Sequence, residues 1–204
     1  MDKEVIIVGA GGHGRVIADI VKESGDKVYG FLDDNETKTS RDYPILNKIE
    51  NYCQYKEKYF IIAIGNNNLR KSLSEMLDGV KYYTAIHPRA YLGRNVIIGE
   101  GTCIMANAVV NSGATVGKHC ILNTMSVTEH DNLIGNFVHV SPGAVLCGTV
   151  TVGDLTHIGA NSVVKNNISI CENVIVGCGA CVVKNINRPG KYIGVPVTEY
   201  KPVP

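Results

Sequence analysis

A strict repeat of six residues dominates the sequence between residues 86 and 182. Stepping by six from Ile86 reaches seventeen positions, and sixteen of them are aliphatic, with no insertion anywhere in the series. The exception is Thr128. Four residues after each of these positions lies a second class, mostly small or β-branched, which begins with Ala90 and continues to Ala180. Few folds suit such a chain, because the same kind of side chain must return to the same place every six residues.

A period of six fits neither an α-helix nor a coiled-coil heptad. Short strands separated by tight corners do return one side chain inward every six residues. The pattern therefore predicts a parallel β-helix, in which three hexads make one triangular coil and the aliphatic position fills the axis. With coils about 4.8 Å apart, roughly six coils form a prism on the order of 27 Å tall. The repeat alone is also compatible with a scaffold that carries no chemistry.

Composition narrows the class of protein. The 204 residues are 45% hydrophobic and 19% charged, with a net charge of +1, which argues against nucleic-acid binding as the main task. With no targeting pattern and no apolar run near 18 residues, we expect a cytoplasmic protein without membrane insertion. Seven cysteines, an odd number, indicate reduced thiols that serve as buried small hydrophobes. A single CxxC motif, ending at Cys181, predicts no zinc site.

A glycine-rich loop follows the first predicted strand. Residues 4–8 form a buried strand that leads into Gly9-Ala-Gly-Gly-His-Gly14 and then a helical pattern over residues 15–22. Such a loop presents bare N–H groups at a helix N-terminus, where phosphate oxygens are stabilised. We therefore expect Gly11, Gly12 and His13 to bind a ligand. A tight turn without a ligand is the alternative.

Two more predicted strands end in polar or glycine residues. The strand over residues 27–32 ends in Asp33 and Asp34, at about the spacing of the ribose-binding acid in dinucleotide folds. The strand over residues 59–64 ends in Gly65 and Asn66. Ligands bind at the carboxyl ends of parallel strands, so these ends predict a nucleotide site on a small Rossmann-like sheet.

The sequence predicts the remaining elements and the domain boundaries as follows. A helix covers residues 69–77, a fourth strand covers residues 80–85, and the stretch 34–58 is irregular. The N-terminal part is half of a dinucleotide domain, so we expect a mononucleotide, such as that of an activated sugar, rather than NAD. His87-Pro88 lies at a boundary. The division is an α/β domain over residues 1–85, a β-helix over 86–186 and a C-terminal loop or tail over 187–204.

A polar cluster interrupts the repeat at its one non-aliphatic position. Thr128 is followed at once by Glu129, His130 and Asp131. By phase, His130 lies two residues past the inward position and projects from a corner of the prism, flanked by two carboxylates. A neutral imidazole accepts a proton, and a neighbouring carboxylate fixes its tautomer and raises its basicity. The cluster predicts a catalytic base; a surface histidine at a solvated turn is the alternative.

Two further histidines lie eighteen residues, or one full coil, apart. His139 and His157 therefore stack on the same face. Three imidazoles could ligate a metal, as in the hexapeptide-repeat carbonic anhydrases. We expect no metal, because His130 lies on a different corner from the stacked pair.

Over essentially its whole length the chain resembles the bacterial sugar acyltransferases with hexapeptide repeats. That family comprises N-acetyltransferases of the UDP-N-acetylbacillosamine pathway and sialic acid O-acetyltransferases. Independent motifs carry the resemblance in the same order, in residues 8–14, 31–34, 62–67 with Arg70, 122–124, 129–131, 139–141 and 194–196.

The resemblance implies a left-handed β-helix and a homotrimer with the active site between subunits. It also implies that His130 is the general base, that Asp131 tunes it, and that His139 contacts the acetyl group of acetyl-CoA. The glycine loop, Asp33 and Asp34 would hold a nucleotide sugar. CoA would lie against backbone near Ala160, Gly177 and Cys178. The sequence departs from closer relatives at Asp131, where they often carry glutamate.

The expected function is acetyl-CoA-dependent N-acetylation of the 4-amino group of a nucleotide-linked amino sugar, with UDP as the expected nucleotide. Transfer would be direct, in a ternary complex of enzyme and both substrates. A covalent acetyl-cysteine is the rival chemistry, since a cysteine could adjoin His130 in space. O-acetylation of sialic acid is the alternative activity. A metal-dependent hydrase and a non-catalytic, nucleotide-sensing trimeric scaffold are more distant readings.

Overall fold

The computed structural model describes residues 2–35 and 42–199. They form a small parallel α/β sheet followed by a left-handed parallel β-helix, which confirms the fold that the sequence predicts. Across these two ranges, no helix has both the length and the apolar character needed to cross a membrane.

The N-terminal sheet has five parallel strands in the order β3-β2-β1-β4-β5. Helix α1, Gly12–Glu23, connects the first two strands, and helix α2, Asn67–Met76, follows the fourth. Both helices begin earlier than predicted, directly after the loops that the sequence singled out. The strands are β1 Glu4–Val8, β2 Lys27–Leu32, β3 Ile45–Asn47, β4 Tyr59–Ile62 and β5 Lys81–Tyr82.

Two predictions for this part of the chain are wrong. The stretch predicted to be irregular contains β3 and a 3-10 helix, Ile49–Tyr55. The single strand predicted over residues 80–85 is divided between two sheets. Its first half, β5, pairs with β4, whereas Ala85 already donates its N–H to the Thr102 carbonyl at 3.0 Å, within the β-helix. Residues 80–85 contain no glycine or proline at this change of partner, so the pattern gave no sign of it.

The β-helix has three faces, built from β6 to β22 by strands eighteen residues apart. Strand β23 then extends the first face parallel to β21, and β24 pairs with β23 in the antiparallel direction. The first face carries β6, β9, β12, β15, β18, β21, β23 and β24; the second carries β7, β10, β13, β16, β19 and β22; the third carries β8, β11, β14, β17 and β20. In chain order the strands from β6 to β24 are Ala85–Ile86, Tyr91–Leu92, Ile97–Ile98, Cys103–Ile104, Val109–Val110, Thr115–Val116, Ile121–Leu122, Val127–Thr128, Leu133–Ile134, His139–Val140, Val145–Leu146, Thr151–Val152, His157–Ile158, Val163–Val164, Ser169–Ile170, Val174–Val176, Cys181–Val182, Gly190–Ile193 and Thr198–Glu199.

Every corner of the prism turns through one left-handed residue. From Asn95 to Gly179, one residue in each hexad has φ between 53° and 77°. Glycine and asparagine adopt this conformation readily, and other residues do so at a cost of about 1–2 kcal/mol. His119, Phe137 and Asp131 nevertheless adopt it, so the stacking of coils on either side imposes the turn on them.

The interior of the prism is the predicted aliphatic ladder. The inward side chains from Ile104 to Val182 form one buried cluster with the small residues beside the corners, such as Ala108 and Ala144. Thr128 occupies its inward position and is 0% exposed. Among the described residues its buried Oγ1 has no hydrogen-bond partner.

The first face of the prism packs against the N-terminal sheet. Cys103, Met105 and Ile121 belong to the same buried cluster as Ile17 and Ile20 of α1. The two parts of the chain therefore share a core, and the first face is covered while the corner opposite it remains open.

The expectation that the cysteines are buried is only partly correct. Cys103 and Cys120 are buried, but Cys53 and Cys178 are exposed, and all seven thiols are free. Cys178 is exposed because it lies in a corner, where a side chain points away from the axis of the prism.

Candidate active site

His130 projects from the corner between the second and third faces. Its side chain is 58% exposed, and its Nδ1 lies 2.8 Å from Oδ2 of Asp131. Asp131 has φ 56°, so the repeating corner geometry fixes where its carboxylate lies. Since a carboxylate only accepts hydrogen bonds, the ring proton is on Nδ1 and Nε2 is left as an acceptor. This is the tautomer that a general base requires.

The imidazole of His130 packs against the next coil at Gly148. A Cβ atom at Gly148 would lie 2.5 Å from Nε2 and 2.7 Å from Cε1 of His130. Thr149 donates its backbone N–H to the His130 carbonyl at 2.9 Å and holds the two coils in register. An open groove of about 360 Å³ lies here, lined by Glu129, His130, Cys147, Gly148, Thr149, Asn166 and Asn167.

Glu129 contacts the preceding coil rather than the imidazole. Its Oε2 accepts a hydrogen bond from Asn111 Nδ2 at 2.8 Å and a longer one from the His130 N–H at 3.4 Å. Of the two carboxylates beside His130, only Asp131 pairs with the ring. Glu129 braces the corner from which the histidine projects.

The glycine loop at the end of β1 is tied to Asp33. The N–H of Ala10 donates to Asp33 Oδ2 at 2.8 Å, and the other carboxylate oxygen accepts the N–H of Asn35 at 2.9 Å. Asp33 is 6% exposed. Gly14 is required for close approach, because a Cβ there would lie 2.0 Å from the Gly9 carbonyl oxygen. The predicted acid therefore shapes the loop that the predicted phosphate site uses.

The other predicted residues at this edge of the sheet end or begin elements. Asp34 is exposed, and its Oδ1 accepts the N–H of Ile49 at 3.1 Å, at the start of the 3-10 helix. Asn66 caps α2, since its Oδ1 accepts the N–H of Leu69 at 2.9 Å. Gly11 and Gly12 lie at the N-terminus of α1, and Gly65 is exposed beside Asn66.

His13 lies in the first turn of α1 and is half-buried. Burial, together with the nearby positive charge of Arg70, lowers the pKa of His13 to about 4. Its Nε2 is buried and has no hydrogen-bond partner among the described residues. His13 is thus a neutral imidazole.

His139 lies on the first face, where the N-terminal sheet covers it. Asn123 Nδ2 donates to its Nε2 at 3.1 Å, and Asn123 Oδ1 is held by the N–H of Thr124 at 2.8 Å, which fixes the amide orientation. The proton of His139 is therefore on Nδ1. Burial lowers the pKa of His139 to about 3, and the charges of His157 and Arg70 act in the same direction.

His139 and His157 stack as predicted, with ring centroids 4.6 Å apart. His157 Nε2 lies 2.8 Å from the Ser141 hydroxyl. His130 is on another corner. Among the described residues, no three histidine, cysteine or acidic side chains are grouped to hold a metal ion.

The structure gathers the predicted residues at three places. His13, Gly65 and His139 lie together where the sheet meets the first face, since both His13 and the Gly65 carbonyl act on the pKa of His139. Ala160, Gly177 and Cys178 lie at the corner between the first and second faces. His130 occupies the corner opposite the first face. A single chain does not bring His130 to the other two groups.

Sequence reasoning missed four residues near these groups. Gly148 and Cys147 line the groove beside His130, and only the eighteen-residue coil length could have placed them there. Arg70 and Asn67 were part of a matching motif, but neither was assigned a role. Both are buried, with exposures of 1% and 8%, and a polar pair in the first turn of a helix was the available signal.

Both parts of the chain are similar to known proteins. Residues 4–77 match the family described as the PglD N-terminal domain. The acetyltransferase domain of PglB from Neisseria gonorrhoeae is 32% identical, with a TM-score of 0.93 over 98% of this chain and 100% of that domain. That domain has also been solved in complex with acetyl coenzyme A.

Two further relatives carry names that describe a substrate. PerB from Caulobacter crescentus, solved with CoA and GDP-perosamine, is 30% identical with a TM-score of 0.92, and the match covers 97% of both chains. UDP-N-acetylbacillosamine N-acetyltransferase of Bacillus subtilis is 40% identical over 112 residues, which are 51% of this chain and 52% of that enzyme. The chain thus spans about half the length of that curated relative, and 24% of an uncharacterized protein of Acanthamoeba polyphaga mimivirus.

Proposed function

Because this chain belongs to the family of hexapeptide-repeat sugar N-acetyltransferases, we propose that it transfers an acetyl group from acetyl-CoA to a nucleotide-linked amino sugar. The acceptor is the 4-amino group of a UDP-linked sugar. The observation that carries the proposal is the pair formed by His130 and Asp131, 2.8 Å apart, in the lining of an open groove. We assign nucleotide-sugar binding to residues 1–85 and acyl transfer to residues 86–186.

His130 acts as the general base in this proposal. The sugar amine attacks the thioester carbonyl, its proton passes to Nε2 of His130, and the CoA thiolate leaves. A positioned base of this kind is worth roughly 10²- to 10⁴-fold in rate. Asp131 holds the Nδ1 proton and stabilises the imidazolium that forms.

The oxyanion formed on the thioester carbonyl needs a hydrogen-bond donor. The backbone N–H of Gly148 is one candidate, since Gly148 lies beside the imidazole of His130 and its N–H has no acceptor among the described residues. His139 is the second candidate, and it would donate through Nδ1 because Asn123 occupies its Nε2. Of the two, Gly148 lies in the same groove as the base.

The nucleotide is proposed to bind at the carboxyl edge of the N-terminal sheet. The first N–H groups of α1 and the loop of Gly11, Gly12 and His13 would hold the diphosphate. Asp33 supports this loop from below, and Asp34, Gly65 and Asn66 border the same edge. Ala160, Gly177 and Cys178 would contact CoA on the prism.

A second copy of the chain is proposed to complete the site. His130 lies on the corner opposite the face that carries the N-terminal sheet, so one chain cannot present both substrates to one base. The outward side chains of the second face form an apolar ladder that is only partly buried, comprising Tyr91, Val109, Val127, Val145, Val163 and Cys181. A homotrimer would cover this ladder and bring His130 of one subunit to the sheet of its neighbour.

Turnover of acetyl-CoA, followed as released thiol, tests the proposal. UDP-, GDP- and dTDP-linked 4-amino sugars and sialic acid are offered to the wild type and to His130→Ala. Turnover of the UDP-linked sugar that is lost in His130→Ala supports the whole proposal. Turnover of the GDP-linked sugar instead would show that the nucleotide is GDP and not UDP. Turnover of sialic acid alone would overturn the proposal of N-acetylation.

The position of Cys147 in the groove favours one competing chemistry, an acetyl-cysteine intermediate. Cys147→Ser separates the two routes, because direct transfer leaves its activity close to that of the wild type. Loss of activity in Cys147→Ser together with a trapped acetyl group on the wild-type thiol would establish the covalent route.

A further inference from the structure

Arg70 is a buried cation to which no carboxylate is paired in the described part of the chain. It lies in the first turn of α2 and is 1% exposed. Within residues 2–35 and 42–199, no acidic side chain forms an ion pair with it. Burial lowers its pKa to about 10, so the guanidinium remains charged at neutral pH. Burying a charge in this way is costly, which calls for a role that an apolar side chain could not fill.

Oxygen atoms from two separate regions of the chain satisfy the guanidinium. On the sheet side, Nη1 donates to the carbonyls of Ile64 at 2.8 Å and Gly65 at 3.3 Å. On the prism side, Nε donates to the His119 carbonyl at 2.7 Å and Nη2 to the Phe137 carbonyl at 2.8 Å. The planar fork of arginine permits this arrangement, and lysine has no equivalent geometry.

Asn67 extends the same contact by one coil. Its Oδ1 accepts a hydrogen bond from Arg70 Nη2 at 2.8 Å, and its Nδ2 donates to the Leu155 carbonyl at 2.9 Å. His119, Phe137 and Leu155 are each eighteen residues apart and are the left-handed residues of three successive coils, with φ of 53°, 57° and 61°. Two side chains of α2 therefore bind a column of three stacked corner carbonyls.

We propose that Arg70 is a positioning residue, which with Asn67 locks the loop of Gly65 and Asn66 onto the prism and so sets the geometry of the nucleotide site relative to His139. The claim about the substrate rests on the proposed function; the lock itself does not. His139 lies beside the loop: its Nδ1 is buried without a hydrogen-bond partner among the described residues, and the Gly65 carbonyl acts to raise the pKa of the ring. Moving the loop would change what this nitrogen faces.

The charge of Arg70 also acts on the histidines around it. It contributes to lowering the pKa of His13, His139 and His157, after burial in each case. These imidazoles are therefore neutral, and the buried charge of Arg70 is close enough to act on all three of them.

Two variants and one control test the lock in the full-length protein. Arg70→Lys keeps the charge but cannot bond the sheet side and the prism side at once. Asn67→Ala keeps Arg70 but removes the hydrogen bond to the Leu155 carbonyl. Lys71→Ala removes an exposed cation from the same helix and serves as the control. Hydrogen–deuterium exchange of residues 64–67 reports on the lock without any substrate, and steady-state kinetics report on its consequence.

The expected result is faster exchange at residues 64–67 in both variants but not in Lys71→Ala. The KM for the nucleotide sugar rises roughly 10- to 100-fold, as misplacement of a binding group by about 1 Å would produce, while the KM for acetyl-CoA stays within about twofold. Unchanged exchange in a folded Arg70→Lys protein overturns the proposal, as does an equal rise in both KM values. If Arg70→Lys does not fold, Asn67→Ala decides by the same criteria. If exchange rises but no nucleotide sugar is turned over by the wild type, the lock stands and the proposed substrate is wrong.

Discussion

Nε2 of His130 lies so close to Gly148 that a Cβ atom on the glycine would be 2.5 Å from it. The φ of Gly148 is not in the left-handed region, so alanine fits the backbone there but not the space. Because Gly148 has no side chain, the imidazole can pack directly against the backbone there. The base is therefore positioned by its own corner and by the coil that follows.

Replacing Gly148 by alanine should lower kcat by roughly 10- to 100-fold, because the imidazole must move away from the new methyl group. The thermal midpoint should change little, since the His130 side chain is 58% exposed and the displaced ring can move into solvent. Kinetics of Gly148→Ala, His130→Ala and the double variant measure the coupling. The double variant should be no slower than His130→Ala; additive losses would show that Gly148 acts independently of the histidine.

Asp131→Asn should lower kcat by about 10²-fold, because an amide cannot hold the Nδ1 proton of His130 as a carboxylate does. Asparagine tolerates the left-handed φ of 56°, so the corner should remain intact. Glu129→Gln is the matched control and should lose less than roughly 10-fold, since Glu129 braces Asn111 instead of the ring. Full activity in Asp131→Asn would remove Asp131 from the mechanism.

Thr128→Val should stabilise the protein by about 1–2 kcal/mol, because a buried hydroxyl without a partner among the described residues is replaced by a methyl group of similar size. Thr102→Val is the opposite case. Thr102 Oγ1 donates to the Gly117 carbonyl at 2.8 Å and accepts the N–H of Cys120 at 2.9 Å, so its removal should destabilise. Thermal midpoints of the two variants should move in opposite directions. A lower midpoint for Thr128→Val would mean that its hydroxyl is bonded in solution.

Stability should fall as the pH is lowered from about 6.5 toward 4. Burial is the main cause that lowers the pKa of His13 and His119 to about 4 and that of His139 to about 3. Each folded-state value is below the unfolded value of about 6.5, so the unfolded chain binds more protons in this range. At pH 5 the loss is at most about 2 kcal/mol per histidine.

Urea unfolding at pH 7, 6 and 5 measures this loss. His119→Asn removes one titrating group and suits the left-handed φ of 53° at that position. Its stability should therefore depend less steeply on pH than that of the wild type. If the free energy of unfolding changes with pH equally in both proteins, His119 does not contribute to the pH dependence of stability.

Val145→Glu should dissociate the proposed trimer and abolish turnover, since Val145 lies in the middle of the outward ladder of the second face. Light scattering after size-exclusion chromatography gives the mass of both proteins. Mixed assemblies give a second test. If His130 and His13 of one site come from different subunits, assemblies of His130→Ala with His13→Ala should recover roughly a quarter of wild-type activity, as random mixing predicts. A monomeric, active wild type would contradict the proposed arrangement.

The sequence by itself determined the β-helix, its phase and the corner that carries His130. These follow from a strictly local rule: a side chain that recurs every six residues must lie on the axis, and Thr128 marks the single break. The glycine loop and the first strands could also be predicted from the sequence, since each is a short contiguous pattern. The strand predicted over residues 80–85 failed because its two halves differ only in which distant strand they meet.

Only the tertiary structure decided what lies next to the reactive groups. Gly148 and Cys147 reach His130 across one coil, and Arg70 reaches His119 and Phe137 across the chain. Which carboxylate pairs with His130 was also settled in three dimensions, because Asp131 takes the left-handed turn while Glu129 extends to the coil below. A repeat specifies the position of each residue along the prism. Contacts between coils, and between sheet and prism, depend on side-chain shape and on burial that the repeat does not encode.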